Sequence, residues 1–202
     1  QAVITQTAWD LGEAGPCQGL ALRAQAVAVL PTALMATLSS LESSPDLAFA
    51  VACEAPSELQ AGVPSIVLDR VQDAGNVGTI VRSAAAFGFT QVVALKGSAG
   101  LWAPKVLRAA MGAHFSLRLV EGLTLDELGK LRLPLLAASP HAALALHEAA
   151  LPWPCGWVFG HEGQGIAARL QAACSESLRI PQPGGEESLN VAMAAAVCMY
   201  ES

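Results

Sequence analysis

Charge is scarce in this 202-residue chain: 14% of positions are Asp, Glu, Lys or Arg, and aromatic residues make up 5%, with a single tyrosine. Cysteine is sparse and poorly spaced for covalent or metal work. Five occur (Cys17, Cys53, Cys155, Cys174 and Cys198), an odd number with no C-x-x-C pair. That excludes a disulfide framework and a zinc finger, and leaves small buried hydrophobes in a reducing cytoplasm. Long apolar runs are missing. The uncharged stretch 191–200 falls far short of the roughly 18 residues a membrane span needs, so no membrane partner is expected. The opening QAVITQTAWDLGEAG has no basic segment followed by an apolar one, so no secretory signal is read. It also lacks an initial Met, and residues upstream of Gln1 are expected. Glycine (18) and proline (12) follow no three-residue period, which excludes a collagen-like chain. G-x-S-x-G and H-E-x-x-H are absent, and His114, His141, His147 and His161 are scattered. Acyl-transfer and metal chemistry are therefore poor readings, and no metal is expected.

What is present is apolar mass. At 53% hydrophobic the chain is globular, with room for one domain or one plus a small companion. Its net charge of −6 argues against a nucleic-acid binder when taken alone. The distribution weakens that objection. Residues 70–118 hold Arg70, Arg82, Lys96, Lys105, Arg108 and Arg118 against one acid, Asp73, so this window is +5 and the remainder −11. A locally basic face on an acidic protein can still meet phosphates; the plainer reading is a solvated surface.

The first sixty residues read as short helices with one β-like piece, 47–53, and two softer stretches, 12–19 and 38–45. From Val63 the texture changes to regular alternation. Apolar strands are predicted at 66–68, 92–95, 115–120, 135–138, 157–159 and 178–180. Helices are predicted at about 77–87, 104–111, 124–130, 141–148, 166–172 and 188–200. Nearly all-apolar strands alternating with helices predict an α/β fold with a parallel sheet covered on both faces. The boundary is expected near 61–64, giving domains of 1–60 and 61–202.

Open parallel sheets bind ligands at the carboxyl ends of their strands, and three loops there carry unusual residues. The first is LDRVQDAGNVGTIVRSAAAFGF. Asn76 stands where a helix N-cap would, Gly78 keeps the first turn uncluttered, and Arg82 follows in an otherwise apolar helix. Taken singly, Asn76 reads as a plain cap and Arg82 as a snorkelling surface arginine. The second is FGHEGQGI, where Gly160, Gly163 and Gly165 bare the backbone around Glu162. It is neither a dinucleotide fingerprint nor a P-loop, and His161 reads as incidental. The third is RIPQPGGEESLNVAMAAAVCMYE. Pro181, Pro183, Gly184 and Gly185 force an irregular loop, and Glu187, Ser188, Leu189 and Asn190 open a helix with an Ala-rich face suited to close packing. Ser188 reads as an N-cap, whereas Asn190, one turn in, is a poor helix-interior residue.

In this order, the three segments resemble the signature motifs of the SpoU (TrmH) family of SPOUT RNA ribose 2′-O-methyltransferases. The matching residues are Asn76, Gly78 and Arg82; Phe159-Gly160, Glu162-Gly163 and Gly165; and Ile180-Pro181 with Ser188-Leu189-Asn190-Val191. The resemblance covers roughly residues 63–202. It implies a parallel sheet whose C-terminal part forms a trefoil knot, S-adenosyl-L-methionine as cofactor, two protomers paired through the knot region as a homodimer, and structured RNA (tRNA or rRNA) as partner. Carried over by position, Gly160, Ile180 and Leu189 would contact the cofactor, with Ser139 at the 138–139 strand end as a further contact. Asn76, Arg82, Glu162, Ser188 and Asn190 would form the polar catalytic centre. Relatives carry a small α/β RNA-binding domain where residues 1–60 lie. Here that segment has one basic side chain, Arg23, so the 96–118 region is the expected RNA contact. The alternative is a non-catalytic RNA-binding module on the same fold. A nucleotide-dependent oxidoreductase fails for want of the dinucleotide fingerprint.

Overall fold

Short runs of Val, Ile, Leu and Ala that no charge interrupts become strands wherever both faces can be covered. The computed structural model describes residues 1–39, 43–52, 57–184 and 188–202. Cys53, Gly185 and Glu187 lie outside the described residues. The chain forms two compact units, residues 1–54 and 55–202. The segment just before the expected boundary at 60/61 is hydrogen-bonded into the second unit. The Gln60 N–H donates to Gln91 Oε1 at 2.8 Å, and Gln91 Nε2 donates back to the Gln60 carbonyl at 3.1 Å.

In the first unit, β1 (Ala2–Thr5) pairs in parallel with β2 (Val27–Leu30) and antiparallel with β3 (Leu47–Phe49). Three short helices accompany them: α1 (Gln6–Asp10), α2 (Pro16–Ala21) and α3 (Thr32–Leu38). Ala2, Ile4, Ala8 and Ala21 make a small core.

The second unit is built on a seven-stranded sheet in which every described pairing is parallel. Its strands are β4 (Ser65–Asp69), β5 (Gln91–Leu95), β6 (Arg118–Leu123), β7 (Leu135–Ala138), β8 (Leu144–Ala145), β9 (Gly156–Gly160) and β10 (Glu176–Arg179). The spatial order is β6-β5-β4-β9-β7-β10-β8. The helices are α4 (Ala74–Ala86), α5 (Pro104–Ala110), α6 (Ala168–Ala173) and α7 (Val191–Glu201). Alternate strand residues feed two cores. Ile66, Leu68, Trp157 and Phe159 face one, and Val67, Val93 and Val158 the other.

Three expectations are corrected. Residues 141–148 are not a helix: 144–145 form the edge strand β8 and 146–148 a single 3₁₀ turn. The predicted strand at 115–120 begins only at Arg118, because 113–116 form a 3₁₀ turn. The 124–130 segment is helical but of 3₁₀ type, with a Thr124–Glu127 capping box.

Candidate active site

The sheet order turns distant sequence into neighbours. β4 and β9 lie side by side, with Asp69 opposite Gly160 at their carboxyl ends. The first two glycine- and polar-rich loops therefore leave the sheet together. β7 and β10 follow next to β9, which lines up Gly160, the last residue of β9, with Ser139 and Ile180, each one residue past its strand. The Ser139 N–H donates to the Leu178 carbonyl of β10 at 3.0 Å.

Asp73, not Asn76, caps α4: its carboxylate accepts from the Asn76 N–H at 2.8 Å. The Asn76 side chain is thereby released for other work. Its Nδ2 donates to Glu162 Oε1 at 3.2 Å, and its Oδ1 accepts from Asn190 Nδ2 at 3.0 Å. Asn190, not Ser188, caps α7, with Oδ1 accepting from the Ala192 and Met193 N–H groups at 2.9 and 3.3 Å. A carboxamide offers both a donor and an acceptor, so each asparagine joins two elements at once. One hydrogen-bonded chain, Asn190–Asn76–Glu162, ties the three loops together.

Glu162 also accepts from the Gln72 and Asp73 N–H groups at 3.4 and 3.3 Å. Partial burial pushes its carboxyl up, but its own backbone amide, Asn76, Asp73 and Gln72 outweigh that and hold the pKa below the ordinary value. Asp73 is lowered as well, first by the Asn76 amide and then by Lys105, whose Nζ lies 3.3 Å from its carboxylate.

The glycine loop folds back on itself. His161 N–H donates to the Gly165 carbonyl at 3.1 Å, and the Gly165 N–H returns to His161 at 2.8 Å. A Cβ on Gly160 would sit 2.2 Å from the Gly165 carbonyl carbon, so only glycine lets the turn close. His161 Nδ1 accepts from the Gly163 and Gln164 N–H groups at 2.9 and 3.2 Å, so this residue shapes the loop.

The remaining expected residues take no part in this hydrogen-bonded chain among the described residues. Arg82 is exposed and makes no hydrogen bond or ion pair among the described residues. Its place in an apolar helix did not bury it, because only one side of α4 faces the sheet. Ser188 and Leu189 are exposed on the approach to α7, and Ile180 is partly buried against the core. Gly78 serves packing rather than the turn: a Cβ there would lie 2.4 Å from Ala109 Cβ of α5.

Sequence reasoning missed the clamp under the glycine loop. Arg70, with φ 59°, donates through Nε and Nη2 to both oxygens of Asp69 at 3.0 and 3.1 Å, and through Nη1 to Gln164 Oε1 at 2.9 Å. Asp69 is 5% exposed and accepts from the Ala167 N–H at 2.7 Å. Its hydrogen bonds push the Arg70 guanidinium above its ordinary value. The available signal was a charged pair closing an apolar strand at the sheet's carboxyl edge. Gln182 was also missed. Its Oε1 is buried without a partner among the described residues.

A parallel sheet with a polar cluster bridging loops at its carboxyl edge defines an α/β domain with that cluster where open parallel sheets bind ligands. The family model described as the SpoU rRNA Methylase family matches residues 64–200, and the chain belongs to that family. It is 34% identical over 155 residues to the 23S rRNA (guanosine(2553)-2′-O)-methyltransferase RlmP of Bacillus subtilis, covering 75% of this chain and 62% of that one. A solved TrmH-family chain from Porphyromonas gingivalis is 31% identical with a TM-score of 0.81, covering 99% of this chain and 80% of that one. The SpoU methyltransferase AviRb of Streptomyces viridochromogenes, solved in complex with AdoMet, shares the fold at a TM-score of 0.82 and 22% identity, covering 99% of this chain and 80% of that one. The chain spans between 52% and 62% of the length of three curated relatives it matches. Among the described residues there is no cluster of potential metal ligands, and no helix is long and apolar enough to cross a membrane.

Proposed function

We propose that this chain methylates a ribose 2′-hydroxyl of tRNA or rRNA, using S-adenosyl-L-methionine, in the cytoplasm. The observation that carries the reading is the Asn190–Asn76–Glu162 chain, which gathers all three family motifs at one sheet edge. Family membership and the 2′-O-methyltransferase relative support the same reaction.

The residues fit the cofactor. Gly160, Ser139 and Ile180 present backbone along one strand edge, and the exposed Leu189, one residue before the Asn190 cap, is assigned as an apolar cover. The Gln182 Oε1, two residues past Ile180 and buried without a partner among the described residues, is an acceptor, and the cofactor's amino and hydroxyl groups are donors. When bound, S-adenosyl-L-methionine supplies an electrophilic methyl group. The protein's task is to hold the hydroxyl in line and stabilise its oxygen as the proton leaves. Glu162 is a weak base with its oxygens already engaged, so it positions Asn76. Arg82 is permanently protonated and free to bind the phosphate beside the target ribose or the developing alkoxide; that phosphate or water takes the proton. Ser188 and Asn190 complete the polar wall.

The C-terminal part of the sheet unit forms the trefoil knot of the SPOUT fold. Two copies pair through α7, whose Met193, Val197 and Tyr200 are exposed. The unit 1–54 is the small substrate-binding domain, and the 96–118 region supplies most cationic contact with RNA. Calorimetry with S-adenosyl-L-methionine and transfer of labelled methyl to total RNA test the proposal. Arg82→Ala abolishes transfer and spares cofactor binding; equal loss of both refutes Arg82's role. Cofactor and RNA binding without transfer would make the chain a non-catalytic module.

A further inference from the structure

The glycine turn 160–165 rests on two side chains of different kind. Arg70, just past β4, donates through Nη1 to Gln164 Oε1 at 2.9 Å and through Nη2 to the Gly165 carbonyl at 3.3 Å. His161, inside the turn, accepts at Nδ1 from the Gly163 and Gln164 N–H groups at 2.9 and 3.2 Å. A backbone amide nitrogen can only donate, so the tautomer of His161 is settled: Nδ1 carries a lone pair and Nε2 the proton. A second proton would have to sit on Nδ1, facing two N–H groups. The ring therefore closes the turn only while neutral. A guanidinium stays charged throughout, so of the two supports His161 alone changes state near neutral pH.

The charged groups around the turn do not offset a proton on this ring. Glu162, next in the chain, receives the Gln72 and Asp73 N–H groups and Asn76 Nδ2. Asp69 is taken by Arg70 and the Ala167 N–H, and Asp73 by the Asn76 N–H and Lys105. Among the described residues no ion pair includes His161. The main chain of His161 bonds to Gly165 in both directions, and its side chain draws in residues 163 and 164. The ring thus sets the path of the backbone that carries Glu162 between Gly160 and Gly165.

We propose that His161 is a positioning residue: its neutral ring holds the glycine turn in the shape that seats the cofactor at Gly160, and a proton on Nδ1 releases that turn. The inference rests on the methyltransferase reading of the same site. The open turn can take the Nδ1 proton and the closed turn cannot, so acid favours the open turn and cofactor affinity falls as pH falls. Asparagine separates shape from titration. Its Oδ1 stands on Cγ as Nδ1 does, accepts from amides two and three residues on, and takes no proton in this range.

The test is calorimetry of the full chain with S-adenosyl-L-methionine from about pH 8 to 5.5, beside His161→Asn and His161→Ala. The parent loses about tenfold in affinity across this range, the scale of one or two neutral hydrogen bonds. His161→Ala is weaker by about the same factor already at the alkaline end. His161→Asn recovers most of that loss and keeps it in acid. The cofactor's α-amino group titrates at about 7.7–8.0 and His114, His141 and His147 are common to both proteins, so the parent-to-asparagine ratio at each pH is the quantity read. A ratio that stays constant overturns the proposal, as does parent-like affinity of His161→Ala at the alkaline end. Nuclear magnetic resonance reads the turn without cofactor: the Gly163 and Gln164 amide signals move together with the His161 ring on acidification, and hold still in His161→Asn. Amides indifferent to the ring's proton overturn the proposal whether or not cofactor binds. No S-adenosyl-L-methionine binding by the unsubstituted chain would sink the methyltransferase reading, whereas normal binding with a constant ratio would sink the role of His161 alone.

Discussion

Replacing Gly160 with alanine probes the proposed cofactor loop most directly. The added Cβ would lie 2.2 Å from the Gly165 carbonyl carbon, 2.3 Å from the Ile166 nitrogen and 2.5 Å from the Gly165 oxygen. All three are backbone atoms, so no side-chain rotation relieves the clash. Ordinary contact begins near 3.4 Å, so residues 165–166 must retreat by about 1.2 Å (3.4 less 2.2). That movement opens the paired His161–Gly165 hydrogen bonds of 2.8 and 3.1 Å and pulls the Ala167 N–H off Asp69. Two neutral bonds at roughly 1 kcal/mol each and one to a carboxylate at roughly 2 kcal/mol put the local cost at about 3–4 kcal/mol. The loop opens before the sheet does. Urea denaturation therefore records a loss of at most this size, while calorimetry records S-adenosyl-L-methionine affinity falling by a hundredfold or more, at about 1.4 kcal/mol per tenfold. Gly163→Ala is the control: its Cβ would come no closer than 3.8 Å to the His161 ring, and binding is retained. Cofactor affinity within twofold of the parent for Gly160→Ala would refute this account of the loop.

Asn190→Asp keeps the α7 cap but loses the donor to Asn76; thermal stability holds while methyl transfer falls at least tenfold. Asn190→Ala loses both, and the melting curve shows the additional loss of about 1 kcal/mol expected for a missing cap. Gly78→Val forces a Cβ to within 2.4 Å of Ala109 and costs about 1–3 kcal/mol of overpacking, read by urea midpoint. Glu162 and Asp73 both have lowered pKa values, so their ionised forms contribute stability that is fully present above the ordinary carboxylate range. That contribution is lost as pH falls below about 4 through the folded-state values. Thermal melts from pH 7 to 3 show this decline, and Glu162→Gln shallows it; a parallel decline in that variant would dissociate Glu162 from the effect.

The sheet was legible because its strands are short and apolar on both faces: 135–138 became β7 unchanged, and the others moved by a few residues. β8 was hidden because two residues inside an Ala- and Leu-rich stretch carry no periodicity of their own, and only pairing with β10 makes them a strand. The site residues were recognisable as motifs, but their jobs were not. Local spacing favours Asn76 and Ser188 as caps. The structure gives those posts to Asp73 and Asn190, because two asparagines also have to meet across the sheet edge. That requirement depends on strand order, which no local pattern encodes. The same holds for Arg70, whose partners Gln164 and Gly165 lie 94 and 95 residues away.

Asn190 follows Asn76 by 114 residues and Glu162 by 28, yet their side chains form one continuous relay. Contacts between such remote stretches require long loops of chain to be closed, which costs entropy before the contact can form. Assembly of this relay thus serves as a gauge of completed folding: a chain halted halfway can hold much of its sheet and still lack the polar link between its three loops.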